Sequence, residues 1–361
     1  MKNKLKSFLI INPFGIGDVL FSLPLIKNLK ESFPTSKIFY LCNKRTYPVL
    51  ENNSLINKTF VYERDEFEAV KKISKVLWIK KIRKFILEIK KENIDIAIDL
   101  SLNPQFGFFS WFAGIKKRIG YNYKNRGKFL TKKIKFQGYE EKHVIEYYLD
   151  LLDLIGIKPK YRQTEIVLSQ DQIKKAKDFL KQQEVDDNEL VIAIAPCGGA
   201  SWGRDSYRKH WPKENFVALA DKLIDKYQAR VILAGSSNEK EAIEKIESLM
   251  QKSCIKAINL PLMDFLALLK SSTVLIANDG GPLHMGVFLG VKTVSIFGPV
   301  NDLVYGPYPR DEKRHAVIKK DLPCRPCYKK FRLPECLHQM KCLKDITVDQ
   351  VFDSVKRLID D

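Results

Sequence analysis

Short, uninterrupted apolar runs that stop at proline, glycine or an acidic residue recur along this chain. SFLIINP (7–13), KIFYLCN (37–43) and IDIAIDL (94–100) have the length and continuity of strands buried on both faces, as in a parallel sheet. Between the first two, DVLFSLPLIKNLKESFP spaces Val19, Leu20, Leu23, Ile26 and Leu29 at helical intervals and ends before Pro34. VLWIKKIRKFILEIKKEN (76–93) predicts a basic amphipathic helix, and residues 140–156 predict another that ends at Gly156. The stretch IKPKYRQTEIVLSQDQ then reads as a connection with one short strand, placing a domain boundary near 160–170.

Beyond it the alternation restarts. Strands are expected at 190–196, 229–236, 254–260, 273–279 and 293–299, with helices at 212–227, 238–251, 263–272 and 281–290. Strand and helix alternate throughout, so the fold class is α/β. The chain reads as two Rossmann-like doubly wound domains, 1–160 and 161–361, facing a central cleft that is the default site.

The bulk numbers remove several classes. A chain of 361 residues with 45% hydrophobic and 29% charged residues is globular, and it has no low-complexity tract or short repeat. The N-terminal apolar run is too short for a signal h-region, and no apolar stretch reaches the ~20 residues of a membrane span. The expectation is a cytoplasmic protein. An odd count of seven cysteines agrees with a reducing compartment. Four crowd the C-terminal region, Cys324, Cys327, Cys336 and Cys342. Their spacing leaves free thiols, a bridge and a metal site open, since the second pair is loose for a zinc module.

Charge is unevenly spread. Residues 1–160 carry 31 basic and 16 acidic side chains, a net +15 of the total +19, while the rest carry 31 and 27, a net +4. The first half therefore expects an anionic partner. Segment 116–136 holds nine basic residues and no acidic one, interleaved with Tyr121, Tyr123 and Phe129. It reads as a solvated loop, as a nucleic-acid surface, or as a contact for lipid and sugar phosphates with the rings resting at a membrane interface.

Four stretches gather chemistry where a strand meets a helix. NPFGIGDVL places Gly15, Gly17 and Asp18 at a helix start, where unpaired N–H groups and the dipole favour an anion. DGGPLHMGVFLG does the same with Asp279, Gly280, Gly281 and His284. Each aspartate could also be a plain N-cap. In PCGGASWGRDSYRKHWP the amides of Gly198, Gly199, Ala200 and Ser201 could cradle a phosphate, with charge from Arg208 or Lys209. In LAGSSNEKE, Gly235 ends a strand and Glu239 is placed either to accept ribose hydroxyls or to complement a helix dipole. No metal-binding carboxylate pair is evident: Asp95 and Asp99 lie within one strand, and Asp186 and Asp187 in a polar connection.

GIGDVLFSLPLIKNLKESFP, KHWP, LAGSSNEKE, NDGGPLHMGVFLGVKTVSIFGP and the tail CRPCYKKFRLPECLHQMKCLKDIT resemble, in this order, glycosyltransferase family 9, the ADP-heptose:lipopolysaccharide heptosyltransferases. The resemblance implies the GT-B fold, with the acceptor on the N-terminal domain and the nucleotide-sugar donor on the C-terminal one. It implies inverting transfer without a metal or other cofactor, with heptose or a related sugar passing from ADP-heptose to the lipopolysaccharide inner core.

By motif position it implies Asp18 as general base, Lys209 as a phosphate or ribose contact, Glu239 as ribose acceptor and Asp279 as the group holding the sugar. Gly199, Ser201, Gly235, Gly280, Gly281 and His284 complete the donor site. Gly15, Gly17, Lys116, Lys117 and Arg118 are assigned to the acceptor. Partners are then a nucleotide-sugar, an anionic glycolipid and the anionic inner face of the cytoplasmic membrane, with no nucleic acid. Many members carry Ser or Thr where this chain has Gly280. Transfer of another sugar in capsule, O-antigen or glycoprotein synthesis, or nucleotide-sugar epimerisation on the same fold, remain alternatives.

Overall fold

The computed structural model describes residues 6–161, 163–199 and 202–360. They fall into two compact units, Met1–Tyr139 with Val144–Thr164, and Glu140–His143 with Glu165–Asp361. Each is built on a six-stranded parallel sheet.

In the first unit the strands are β1 (Ser7–Ile11), β2 (Lys37–Cys42), β3 (Lys58–Val61), β4 (Ile96–Asp99), β5 (Lys117–Tyr123) and β6 (Lys132–Phe136), in spatial order 3-2-1-4-5-6. In the second they are β7 (Val191–Ala195), β8 (Arg230–Gly235), β9 (Ile255–Ile258), β10 (Val274–Asn278), β11 (Lys292–Ile296) and β12 (His315–Ile318), in order 12-11-10-7-8-9. The two orders are the same doubly wound topology. The direction of winding reverses between β1 and β4 and between β7 and β10, and ligands of such sheets bind at the carboxyl ends there.

Central strands are apolar on both faces because helices cover both. Ile192 and Ile194 join one cluster with Phe216, Leu219, Val351, Val355 and Leu358, while Val191 joins another with Ile232 and Leu268. In the first unit Leu9, Ile11, Phe39 and Leu41 pack on Phe85, Ile86, Ile89, Phe106 and Phe109. Each such buried side chain contributes about 1.5–3 kcal/mol.

The expected strands and helices of the second unit all form, with ends shifted by at most three residues. Several expectations need correction. The helix read over 140–156 begins at Val144 and tightens into a 3-10 turn, Leu151–Ile155, closed by Gly156 in the left-handed region. Residues 140–143 group with the other unit, where His143 Nε2 lies 3.0 Å from the Gly306 carbonyl and its ring stacks on Tyr308. No strand forms among the described residues of 157–169. Segment 116–136 is not a solvated loop but the edge pair β5 and β6. Tyr121 and Tyr123 are buried, the former packed on Phe136 and Tyr147, so they are core and not interface rings.

Candidate active site

In the first unit the loop after β1 is tied down before Asp18 is reached. Buried Asn12 donates to the Asp18 carbonyl at 2.9 Å, and Asn43 donates to the carbonyls of Pro13 and Phe14. Gly15 is the N-cap of the helix Ile16–Phe21 with φ −73°, an ordinary extended conformation. Asp18 is therefore not the cap but sits in the first turn, where the dipole favours a carboxylate. A Cβ on Gly15 would stand 3.7 Å from Asp18 Oδ2 and 3.9 Å from Arg45 Nη2, so the missing side chain keeps both groups approachable. Gly17 lies inside the same helix. Burial pushes the phenols of Tyr40, Tyr139 and Tyr148 above their ordinary values, and the Asp18 charge adds to each.

Asp99, at the carboxyl end of β4, is the residue that sequence reasoning passed over. Its Oδ1 accepts from the Ser101 N–H at 2.9 Å and the Ser101 hydroxyl at 2.5 Å. Its Oδ2 lies 3.8 Å from where a Gly107 Cβ would be. A small, open pocket lies over it, lined also by Asn103, Tyr121, Arg126 and Phe129. Burial pushes this carboxyl up to about 6, against the hydrogen bonds from Ser101. The available signal was position: Asp99 closes the strand beside β1 at the reversal of winding.

In the second unit the loops after β7 and β10 meet. Gly198 and Gly199 have φ +66° and +87°, which only glycine adopts without strain. A Cβ on Gly280 would fall 1.7 Å from the Gly198 carbonyl oxygen, so the two backbones touch. Gly280 is the N-cap of the helix Gly281–Phe288, which leaves Asp279 outside it and free of the capping role.

Lys209, brought round by the 3-10 turn Gly203–Lys209, pairs with Asp279 at 2.7 Å, both side chains buried. Its ammonium also lies 4.3 Å from the Trp202 ring, which in turn packs 4.8 Å from Tyr328. Asn278 fixes the pair from behind: it accepts from the Trp211 N–H at 3.1 Å and donates to the Pro196 carbonyl.

Glu239 joins two loops. Its Oε1 accepts from the Gly199 N–H at 2.9 Å, and its Oε2 from the N–H and hydroxyl of Ser236, both at 2.7 Å. The first-turn reading of Glu239 thus holds as a capping box, with a cross-loop tie added. Gly235 lets this happen, since a Cβ there would meet Ile243 at 2.6 Å and Glu239 at 3.1 Å. His284 is buried and held neutral, its imidazole pushed down to about 3 by burial and then by the Lys209 charge. Ser201 lies outside the described residues.

Lys116 and Lys117 are exposed, while Arg118 is half-buried with Nε and Nη1 turned to backbone carbonyls. Its guanidinium donates to the carbonyls of Phe129 at 2.6 Å and Lys116 at 3.3 Å, and to that of Ile115. Cys324, Cys327, Cys336 and Cys342 are free thiols in a tail where the Cys327 and Tyr328 N–H groups donate to the Pro299 carbonyl. Among the described residues no group of three or more His, Cys, Asp or Glu side chains is arranged to hold a metal ion. Also unforeseen is buried Asp302, ringed by Arg310, Lys319 and Arg325 at 3.0–3.1 Å. Burial raises its carboxyl, but Lys319 and Arg325 outweigh that and hold it below the usual range.

Residues 82–338 match the profile of glycosyltransferase family 9 (heptosyltransferase). The chain belongs to this family. It is accordingly a glycosyltransferase, and its two doubly wound units are those of the GT-B fold. Among relatives, the lipooligosaccharide heptosyltransferase 2 of Campylobacter jejuni is 24% identical over 96% of both chains. The family 9 glycosyl transferase of Veillonella parvula superposes with a TM-score of 0.83 at 21% identity, covering 100% of this chain and 99% of that one. The ADP-heptose lipopolysaccharide heptosyltransferase II of Escherichia coli superposes at 0.77 with 20% identity, covering 98% of both.

Proposed function

We propose that this family 9 enzyme is an inverting, metal-independent heptosyltransferase that carries heptose from ADP-heptose to an anionic lipopolysaccharide inner core at the inner face of the cytoplasmic membrane. The observation that carries the reading is the closure of the Gly198–Gly199 loop on Asp279–Gly281, with Lys209 and Glu239 attached to it. Amides, a buried ammonium and a carboxylate within one loop cluster are what a sugar diphosphate and a ribose need. The similarity to lipooligosaccharide and lipopolysaccharide heptosyltransferases supports the sugar and the acceptor class.

In the reaction an acceptor hydroxyl oxygen forms a bond to the anomeric carbon as the bond from that carbon to the diphosphate breaks, and ADP leaves with the electron pair. Attack from the opposite face inverts the centre. Asp18 takes the hydroxyl proton. Charge building on the leaving diphosphate is met by Lys209 and the loop amides, which act where no reorganisation is required. Asp279, released from Lys209 as the diphosphate competes for the ammonium, accepts sugar hydroxyls. Neutral His284 lies beneath the same loop and adds no charge to it. The net +15 of residues 1–160 draws the phosphorylated acceptor.

The test is transfer from a panel of nucleotide-sugars to deacylated inner-core oligosaccharide, with and without EDTA, reading product mass and anomeric configuration. The reading expects heptose from ADP-heptose, inverted, with turnover unchanged by EDTA. Preference for another sugar, retention, or loss of turnover in EDTA would replace it.

A further inference from the structure

Four of the exposed large apolar side chains of the first unit gather at one helical corner. The helix Arg64–Ile73 and the helix Lys75–Lys91 meet at Ser74, whose hydroxyl caps the second by accepting from the Leu77 N–H at 3.3 Å. At this corner Ile73 is 79% exposed, Val76 62%, Leu77 51% and Ile79 57%. These residues are not a core face left uncovered. The second helix already buries Phe85, Ile86 and Ile89, with Trp78 and Ile82 packed against the same cluster. The outward apolar residues are surplus to folding, and four together form a patch that soluble surfaces rarely carry without a use.

The charge around them is of one sign. From residue 71 to 87 the sequence has seven Lys or Arg and no Asp or Glu. Lys72, Lys75, Lys80 and Lys84 are exposed. Lys71 and Lys81 reach Glu68 and Glu66 only at 3.8 and 3.7 Å, which leaves the rest of the basic set to solvent. A protein partner of mixed charge would leave most of these ammonium groups without an anion, whereas a layer of anionic headgroups matches all of them. Lysine stems extend along apolar surface while their heads reach phosphates, and the apolar tips enter the acyl boundary. The second helix, at 17 residues, fits a helix lying in that plane, and no helix among the described residues is long and apolar enough to cross.

We propose that the corner formed by Ile73, Val76, Leu77 and Ile79 with Lys72, Lys75, Lys80 and Lys84 is the surface by which this enzyme docks on an anionic bilayer. The contact is moved from segment 116–136, where sequence alone placed it, to the helical corner. The link to a lipid-borne acceptor rests on the proposed function; the docking itself does not, and is measured without turnover.

The full chain is sedimented with phosphatidylglycerol-containing vesicles and with phosphatidylcholine vesicles at low and high salt. Three variants accompany it: Ile73→Ser/Val76→Ser/Leu77→Ser/Ile79→Ser, Lys72→Ser/Lys75→Ser/Lys80→Ser/Lys84→Ser, and Lys116→Ser/Lys117→Ser. The wild type should bind anionic vesicles at least ~10-fold more tightly than neutral ones, and salt should erase the difference. Each helical variant should lose ~10-fold or more while keeping its melting temperature and donor affinity, because the changed side chains lie outside the core. The Lys116/Lys117 variant should bind as wild type. Equal binding to both vesicles, retention by the apolar variant, or loss confined to the Lys116/Lys117 variant would overturn the assignment. So would a wild-type dimer that the apolar variant splits, since a second copy would then cover the patch. Failure of heptose transfer with vesicle binding intact would count against the proposed function alone.

Discussion

Lys209 and Asp279, 70 positions apart in sequence, form a buried ion pair with Nζ 2.7 Å from Oδ2. Adjacent strands β7 and β10 bring their loops together, so sheet order creates the pair. Removing one partner strands a buried charge, which costs about 3–5 kcal/mol, whereas removing both costs less. Lys209→Met and Asp279→Leu should each lower the melting temperature of the ligand-free protein more than the double variant does. Lys209→Met should also weaken nucleotide-sugar binding by about 1–3 kcal/mol. Calorimetry and donor titration read both, and unchanged donor affinity would remove Lys209 from the phosphate role.

Gly280 and Gly281 should respond in opposite ways. A Cβ at 280 meets backbone at 1.7 Å, while one at 281 meets only the Met285 Cε at 3.7 Å. Gly280→Ser should reduce donor affinity ~10-fold or more and destabilise the second unit, because neither backbone can retreat without opening the loop. Gly281→Ala should be nearly silent. Equal tolerance at both positions would mean the Gly198–Gly280 approach is not maintained in solution.

Glu239 can be separated from its capping role. Ser236→Ala removes one hydroxyl from the capping box and leaves the tie to Gly199, whereas Glu239→Ala removes both. If Glu239 shapes the donor loop and accepts ribose hydroxyls, its loss should weaken donor binding by about 1–3 kcal/mol and Ser236→Ala by a few tenths. Matching losses in the two titrations would reduce Glu239 to a cap.

Much of this was legible in sequence because central parallel strands are unbroken apolar runs closed by Gly, Pro or Asp, and the glycine-bearing loops after β7, β8 and β10 follow directly from them. What was not legible has physical reasons. β5 and β6 carry Lys117, Arg118, Lys132, Lys133 and Lys135, since the edge of a sheet can leave one face to water, and their basic pattern reads as loop. The helix after residue 140 starts late because His143 is held by Gly306 and Tyr308, a tertiary contact no local pattern announces. Sequence does not show that Arg118 is tied by Nε and Nη1 to the carbonyls of Phe129 and Lys116. Asp18 and Asp279 each looked compatible with a cap, and only the backbone shows Gly15 and Gly280 in that place.

Asp99 gives a pH signature. Its carboxyl, pushed up by burial from 3.8 to about 6, favours the folded state fully below pH 3.8 and loses that contribution as pH rises through 6. At about 1.4 kcal/mol per unit the ionised form costs about 3 kcal/mol. Asp99→Asn should therefore be more stable than wild type at pH 7.5, with the gap closing toward pH 4. His143 and His284, held down to about 3 mainly by burial, act in the opposite sense, destabilising as pH falls below 6.5. Being common to both proteins, they cancel in the difference between denaturant melts. A variant less stable than wild type at pH 7.5 would show that the Asp99 carboxylate is not desolvated in solution.

The central claim is that Asp18 takes the acceptor proton while the second unit holds the donor. The direct measurement is turnover of Asp18→Asn beside its donor dissociation constant and melting temperature. The amide is nearly isosteric and Asp18 does not cap its helix, so fold and donor affinity should be unchanged while transfer falls ~100-fold or more. Turnover near that of the wild type, with both other values intact, would contradict the account.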